Sequence, residues 1–250
     1  MSAINSEDTA GNVTTASVWA SGALVQDRLF AYALLQYGRT TDSDTFGNEN
    51  ALNNNTFSSK QPTWVLKMDW NISDDHLLEL TAFSDTNKTE TDFYSNPDPG
   101  AGGVFDANKA LIRTNKLGTV FNETGGESYS LKYTGYLTDN FTLSALFGHG
   151  ESSRSNYGVT ASGVLQTYDG NVGGGATGCP VIIDARATKV PPIANCSFIG
   201  LIGSKKNKDE RDQFRVDAEW QLGDHLLRFG YDGDVFESFQ AQSTEGGAQW

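Results

Sequence analysis

Long hydrophobic runs and positive charge are what this chain lacks. No window approaches 18 consecutive apolar residues, so no helix can cross a bilayer. That does not exclude a membrane, because a barrel strand crosses in about ten alternating residues and leaves a weak hydropathy signal. Lys and Arg number 18 against 31 Asp and Glu, for a net charge of −13. Nucleic-acid binding needs a basic stripe to meet phosphates, and none is present. The one basic cluster, Lys205, Lys206 and Lys208, runs directly into Asp209, Glu210 and Asp212 and reads as a mixed-charge loop. The opening Met1-Ser2-Ala3-Ile4-Asn5 has neither the basic nor the apolar region of a signal peptide. The expectation is that the start of an exported chain is missing.

What is present suits strands and turns. Aromatics reach 11% and glycine occurs 27 times, a mixture that favours pleated sheet over helix. Four segments, residues 23–32, 70–80, 136–143 and 220–229, share one layout. Each has an apolar strand end, a short polar turn with an aspartate, and a second strand opening on an apolar residue. The turn aspartates are Asp27, Asp74, Asp139 and Asp224. Asp and Asn suit such turns because their side chains bond nearby backbone and tolerate left-handed geometry. Four repeats of the layout predict four tight hairpins.

The flanking strands alternate. Trp64, Leu66, Met68, Trp70 and Ile72 share one face, and Val65, Lys67, Asp69 and Asn71 the other. Phe214, Val216, Ala218, Trp220 and Leu222 oppose Arg215, Asp217, Glu219 and Gln221. Tyr129, Leu131 and Tyr133 oppose Ser130, Lys132, Thr134 and Tyr136. A period of two over nine residues is a strand with one apolar and one wet face. The charges Lys67, Asp69, Glu79, Lys132, Arg215, Asp217, Glu219 and Arg228 are assigned to a water-filled lumen. Residues 40–61, 92–126 and 158–211 read as long polar loops on the far side. Short turns at one end and long loops at the other mark an outer-membrane barrel, whereas a sandwich spaces its turns evenly. Trp70, Tyr136 and Trp220 stand just before the short turns and predict an aromatic girdle at the periplasmic interface.

Two runs carry a family resemblance. Residues 18–32 (VWASGALVQDRLFAY) are similar to the first barrel hairpin of TonB-dependent receptors. Residues 212–220 (DQFRVDAEW) and 223–232 (GDHLLRFGYD) resemble a later hairpin of the Oar-like branch. The resemblance covers most of residues 12–250 and implies an energised importer whose barrel encloses a plug. About eight strands are counted here, with no plug and no TonB box. The final residues, 242–250, lack the large alternating apolar side chains of a closing strand. The expectation is therefore all-β: an antiparallel transmembrane β-barrel segment of about eight strands in four hairpins, an incomplete barrel over 12–250, with 1–11 disordered or connecting. Its expected partners are outer-membrane lipid, its own plug and remaining strands, the TonB complex through the N-terminal region, and an unidentified small ligand, with no nucleic acid. Two rival readings are a complete eight-stranded structural or adhesive barrel and a soluble β-sandwich.

Other candidates are weaker. Cys179 and Cys196, the only cysteines, lie in the longest loop. In an oxidising compartment they are expected to form a disulfide, worth about 3 kcal/mol in the chain-entropy model. No nearby His or Cys completes a zinc site. His76 and His225 occupy equivalent turn positions and read as structural. With His149 they make no catalytic triad by spacing. Gly173-Gly174-Gly175 lacks the strand and Lys-Ser/Thr helix of a phosphate loop. Asp42 with Asp44, and Asp232 with Asp234 and Glu237, read as solvated carboxylates rather than a calcium site. No constellation points to an enzyme or a cofactor.

Overall fold

A computed structural model describes residues 6–47, 54–94, 115–168 and 201–244. All regular structure among them is strand: β1 (Ser6–Val25), β2 (Leu29–Gly47), β3 (Asn54–Ser73), β4 (His76–Ser84), β5 (Asn87–Tyr94), β6 (Lys116–Thr138), β7 (Phe141–Thr160), β8 (Leu165–Gln166), β9 (Leu201–Gly203), β10 (Lys208–Leu222), β11 (His225–Phe239) and β12 (Gln242–Thr244). The main sheet runs β1-β2-β3-β4-β6-β7-β10-β11, and every pairing is antiparallel. β5 also lies between β3 and β6 and keeps the register of β4 on both sides. The two are one strand interrupted at Asp85 and Thr86. The sheet thus has eight long strand positions, as the sequence predicts.

The four predicted hairpins form. Their turns are Gln26–Arg28, Asp74–Asp75, Asp139–Asn140 and Gly223–Asp224, all at one rim. Asp27 sits at φ 59° and Gly223 at φ 58°, the left-handed region that favours Asp, Asn and Gly. Neighbouring hairpins are tied at this rim by a repeated bond. The N–H of Asn71 donates to the Arg28 carbonyl, that of Tyr136 to Asp75, and that of Gln221 to Asn140, at 2.7, 2.8 and 2.8 Å.

The strands slant relative to that rim. A line across the sheet through Trp19 passes Leu34, Val65, Phe83, Ser128, Gly150, Arg211 and Phe236. Trp19 stands six residues before the end of its strand, Val65 eight, Ser128 ten and Arg211 eleven. A steady offset of this kind is the stagger that barrel walls require.

Two sequence expectations are corrected. Residues 40–47, 54–61, 92–94, 116–126, 158–160 and 208–211 are not loops: β2, β3, β5, β6, β7 and β10 run through them, and the short β8 and β9 also lie within the third expected loop. Their Thr, Ser and Asn residues look like loop by composition, yet the ladder continues without an apolar face because the neighbouring strands are polar at the same level. Residues 6–11, expected to be connecting chain, pair with β2 from Ser6↔Gly47 to Gly11↔Asp42.

The described residues form no conventional core. Among the described residues the only buried hydrophobics are Val120, Ile202 and Ala218. Among the described residues β1 pairs only with β2 and β11 only with β10, so both edges of the described sheet are open.

Candidate functional surfaces: an apolar belt, a charged wall and two rims

The two faces of the sheet follow from register and alternation. One row across it reads Leu29, Trp70, Leu78, Tyr133, Ala145, Val216 and Tyr231. The adjacent row reads Phe30, Asp69, Glu79, Lys132, Leu146, Arg215 and Asp232. Successive side chains point to opposite faces, so one side of the sheet is an apolar belt and the other a charged wall. All eight charges assigned to a lumen from alternation lie on the charged wall.

The belt is exposed. Val18, Leu35, Tyr231 and Val235 keep 63, 60, 68 and 59% of their surface accessible. A patch of this extent needs a covering, because soluble monomers rarely expose contiguous apolar area beyond a few hundred Å². Among the described residues no second sheet packs on it, and none shows a β-sandwich arrangement. At ~3.3 Å per residue, the run 214–222 spans about 26 Å along the strand and about 20 Å across a membrane at ~40° tilt.

Toward the long-loop end the same face turns charged within one or two steps. Tyr37 gives way to Arg39, Trp64 to Lys60, Tyr129 to Glu127 and Phe214 to Asp212. This upper aromatic level went unread in the sequence, although its signal was there: an alternating aromatic with a charge two to four residues away on the loop side. Above it lie ion pairs: Lys60–Glu90 at 3.6 Å, Lys88–Glu123 at 3.2 Å and Lys116–Asp92 at 2.7 Å. Four glutamates, Glu127, Glu151, Glu210 and Glu237, stand directly opposite one another on β6, β7, β10 and β11. Like charges in such positions repel. Lys208 offsets two of them, with Nζ 3.0 Å from Glu151 and 2.7 Å from Glu210. These hydrogen bonds, Glu210 first, raise the Lys208 pKa above the usual lysine value. The bond from Lys208 holds Glu210 below the usual carboxylate range.

At the short-turn rim, Asp27, Asp74, Asp139 and Asp224 all occupy turns. Trp70 and Trp220 face the belt side, where Trp220 meets Phe141 edge-on at 6.3 Å. Tyr136 does not join them. It pairs with Thr142, which pairs with Glu219, and so lies on the charged wall. A register shift between Tyr136 and Thr138 separates it from the turn, so distance from the turn misplaces its face. His76 accepts or donates through Nδ1 to the Tyr133 hydroxyl at 2.7 Å, with the rings stacked at 5.8 Å. The Tyr133 ring lies over Gly135, where a Cβ would collide with it. His149 bonds Asp212 at 2.7 Å and stacks on Tyr129 at 5.1 Å, near the upper level of the belt. His225 opens β11 just after its turn.

The charged wall is internally paired. Lys132 meets Glu79 at 2.9 Å, Arg228 meets Glu219 at 3.1 Å, Arg211 meets Asp234 at 2.8 Å, and Arg215 meets Asp217 at 2.6 Å. The carboxylates Asp232, Asp234 and Glu237 are divided by the sheet: the first two share the wall, and Glu237 faces the belt side. Asp42 lies within β2 opposite Phe57, and Asp44 opposite Asn55. Among the described residues no three His, Cys, Asp or Glu side chains are placed to hold a metal ion. Cys179, Cys196 and the triglycine at 173–175 lie outside the described residues.

A slanted, antiparallel, single-layer sheet with an apolar outside and a charged inside is the wall of a membrane barrel. A family model described as an outer membrane beta barrel domain matches residues 4–250. The chain belongs to that family. This outer-membrane barrel therefore meets lipid with its apolar belt. No curated protein and no solved structure matches it significantly. At the barrel's long-loop end, its most buried polar groups gather around β9 and β12. Asn207 donates to the Ala241 carbonyl at 3.0 Å and accepts from the Ala241 N–H at 2.8 Å.

Proposed function

We propose that this barrel domain is part of the wall of a TonB-dependent outer-membrane receptor of the Oar-like branch, which imports a ligand with energy from the TonB complex. One observation carries the proposal: among the described residues the eight-position sheet is open, with β1 and β11 each paired on one side only. In lipid every unpaired N–H and C=O costs several kcal/mol, so both edges require further strands. An eight-stranded barrel closed on itself would also fill its interior with side chains. Among the described residues the long strands meet their sheet neighbours and the short β9, never a strand across a lumen, and the wall charges pair along the sheet. In this reading the short turns are periplasmic, the long hairpins are extracellular, and the charged wall borders water and a plug domain. The partners are lipid, the plug and remaining strands, the TonB complex and a small ligand. The domain transports and does no catalysis.

The even strand number also suits a complete small barrel, and one experiment separates the two. A photo-crosslinker placed at Ala16 on the free side of β1 should capture polypeptide outside residues 6–244 in assembled membranes. Capture of β11 instead sinks the receptor reading in favour of a closed eight-stranded barrel. The TonB step is tested separately, by binding of a purified TonB periplasmic domain to the detergent-solubilised whole gene product. No binding removes energised uptake from the proposal.

A further inference from the structure

Three features that weaken a β-ladder stand side by side at one level of the sheet. Pro62 of β3 faces Thr86, and Thr86 faces Gly125 of β6, by the registers that continue on either side. Pro62 has no N–H to give the ladder. Opposite it the strand breaks at Asp85 and Thr86, between β4 and β5. Gly125 takes φ +76°, and a Cβ there would come within 2.6 Å of the Asp85 carbonyl oxygen, so glycine is required. One ladder bond survives at the break, the Asp85 N–H to the Gly126 carbonyl at 3.1 Å, and local bonds replace the rest. The Thr86 N–H donates to Ser84 Oγ at 3.4 Å, and the Gly126 N–H donates to Asp85 Oδ1 at 2.9 Å. On the same row Gly125 pairs with Ser153, and Ser153 pairs with Lys208, the first residue of β10. Above that row β7 has no β10 beside it. The weak line therefore crosses from β3 to the point where β10 begins, just above the aromatic level of the belt.

On one side the part above the line stays paired with β3, from Asn54↔Tyr94 to Lys60↔Lys88; toward the β10–β11 wall it is held by one packed contact. Ile202 of β9 is fully buried against Val120 of β6, with Phe93 of β5 packed on the pair. Gly203 N–H donates to Asn156 Oδ1 at 3.3 Å, and Tyr168 N–H donates to the Gly203 carbonyl at 2.8 Å. β9 is in turn paired with β12 and so attached to the end of β11, and the Asn207–Ala241 amide clamp fixes this attachment. By alternation Val120, Phe93 and Asn156 all point to the charged-wall side. The β9–β12 pair thus lies inside the mouth of the barrel, bridging the upper β5–β6–β7 sheet to the β10–β11 wall.

We infer that β5 and the upper parts of β6 and β7 form a hinged flap over the barrel mouth, bending at the Pro62–Thr86–Gly125 row and latched by Ile202. The flap moves as a paired sheet, because the ladders within it are continuous. Release of the latch frees the side of the flap next to the β10–β11 wall to bend about the weak row, with β5 still paired to β3, while the belt below, held by lipid, stays fixed. Local opening of this kind draws on the least protected hydrogen bonds of a structure. The inference holds for any barrel containing this wall and does not depend on the TonB assignment.

Amide hydrogen exchange on the assembled protein in detergent tests it. In the unmodified chain, the amides of Thr86 and Gly126 should exchange faster than those of Leu66 or Leu131 in the belt and Val120 in the flap. Ile202→Ser should speed exchange across residues 87–94 and 116–124 on the order of tenfold, with residues 64–72 and 129–135 unchanged. Adding Pro62→Val, which restores a ladder donor, should reverse much of that rise. Even protection through the row in the unmodified chain overturns the hinge. Equal acceleration of flap and belt in Ile202→Ser, or none, overturns the latch. Should Ile202→Ser fail to assemble, Asn207→Ala releases the same bridge from the wall side and must give the same regional pattern.

Discussion

The lower and upper halves of the same strands are built on different principles. In the belt, β3, β6 and β10 alternate apolar and charged residues, and their stability comes from lipid on one side and paired charges on the other. Above Trp64, Tyr129 and Phe214 the same strands carry Ser, Thr, Asn and Glu, and the outward face is held by ion pairs between partly exposed side chains. Exposed ion pairs contribute little each. The upper sheet therefore depends on its backbone ladder and on the single packed cluster around Ile202. Continuous hydrogen bonding conceals a change of solvent halfway along each strand.

Substitutions can break or sharpen this contrast. The largest effect should come from the belt: Leu131→Arg places a charge toward lipid and should cost about 2–4 kcal/mol, read by denaturant unfolding in bilayers. Ser130→Arg, one residue away on the charged wall, should leave the midpoint nearly unchanged, and equal losses would show that the faces are misassigned. Next is Gly135→Val, which displaces the Tyr133 ring from its bond to His76 and should cost about 1–3 kcal/mol as an overpacked site. Its Tyr133→Ala partner should remove most of that penalty. Lys132→Met breaks the pair with Glu79 on an exposed wall and should cost at most about 1 kcal/mol.

The smallest effect concerns pH in the upper half. Glu210 has a lowered pKa in the folded protein, so its contribution is present above the unfolded carboxylate value and is lost as pH falls through the folded one. Lys208 has a raised pKa, so its contribution is present below the unfolded lysine value and is lost as pH rises through the folded one. Lys208→Met should accelerate amide exchange near Ser152 and Ser153 at neutral pH. The difference should fade in acid, once the glutamates are protonated. A difference that persists unchanged in acid would assign the role of Lys208 to packing.

Much of the lower half was legible. Alternation is a local property of a strand, so Trp64 through Ile72 and Phe214 through Leu222 declared their faces without a partner. The four turns were legible from their Asp and Asn residues, and at two of them Asp27 and Gly223 meet a backbone need that few residues meet. For Tyr136 alternation gave the correct face, and the girdle reading failed because a bulge between Tyr136 and Thr138 shifts face relative to turn distance. The upper strands were misread because polar residues carry no facing signal, so residues 40–47 and 116–126 resembled loop. Pro62 and Gly125 were visible as residues but not as neighbours.

By itself, then, the sequence determined the strands of the belt, their two faces and the tight turns that join them, since period and turn chemistry are written within a few consecutive residues. Only the tertiary structure decided how far the strands run, which edges stay unpaired, and that Pro62, Thr86 and Gly125 share one row beneath a latch at Ile202. Those are relations of register between segments distant in the chain, and register is set by pairing, which no single segment contains.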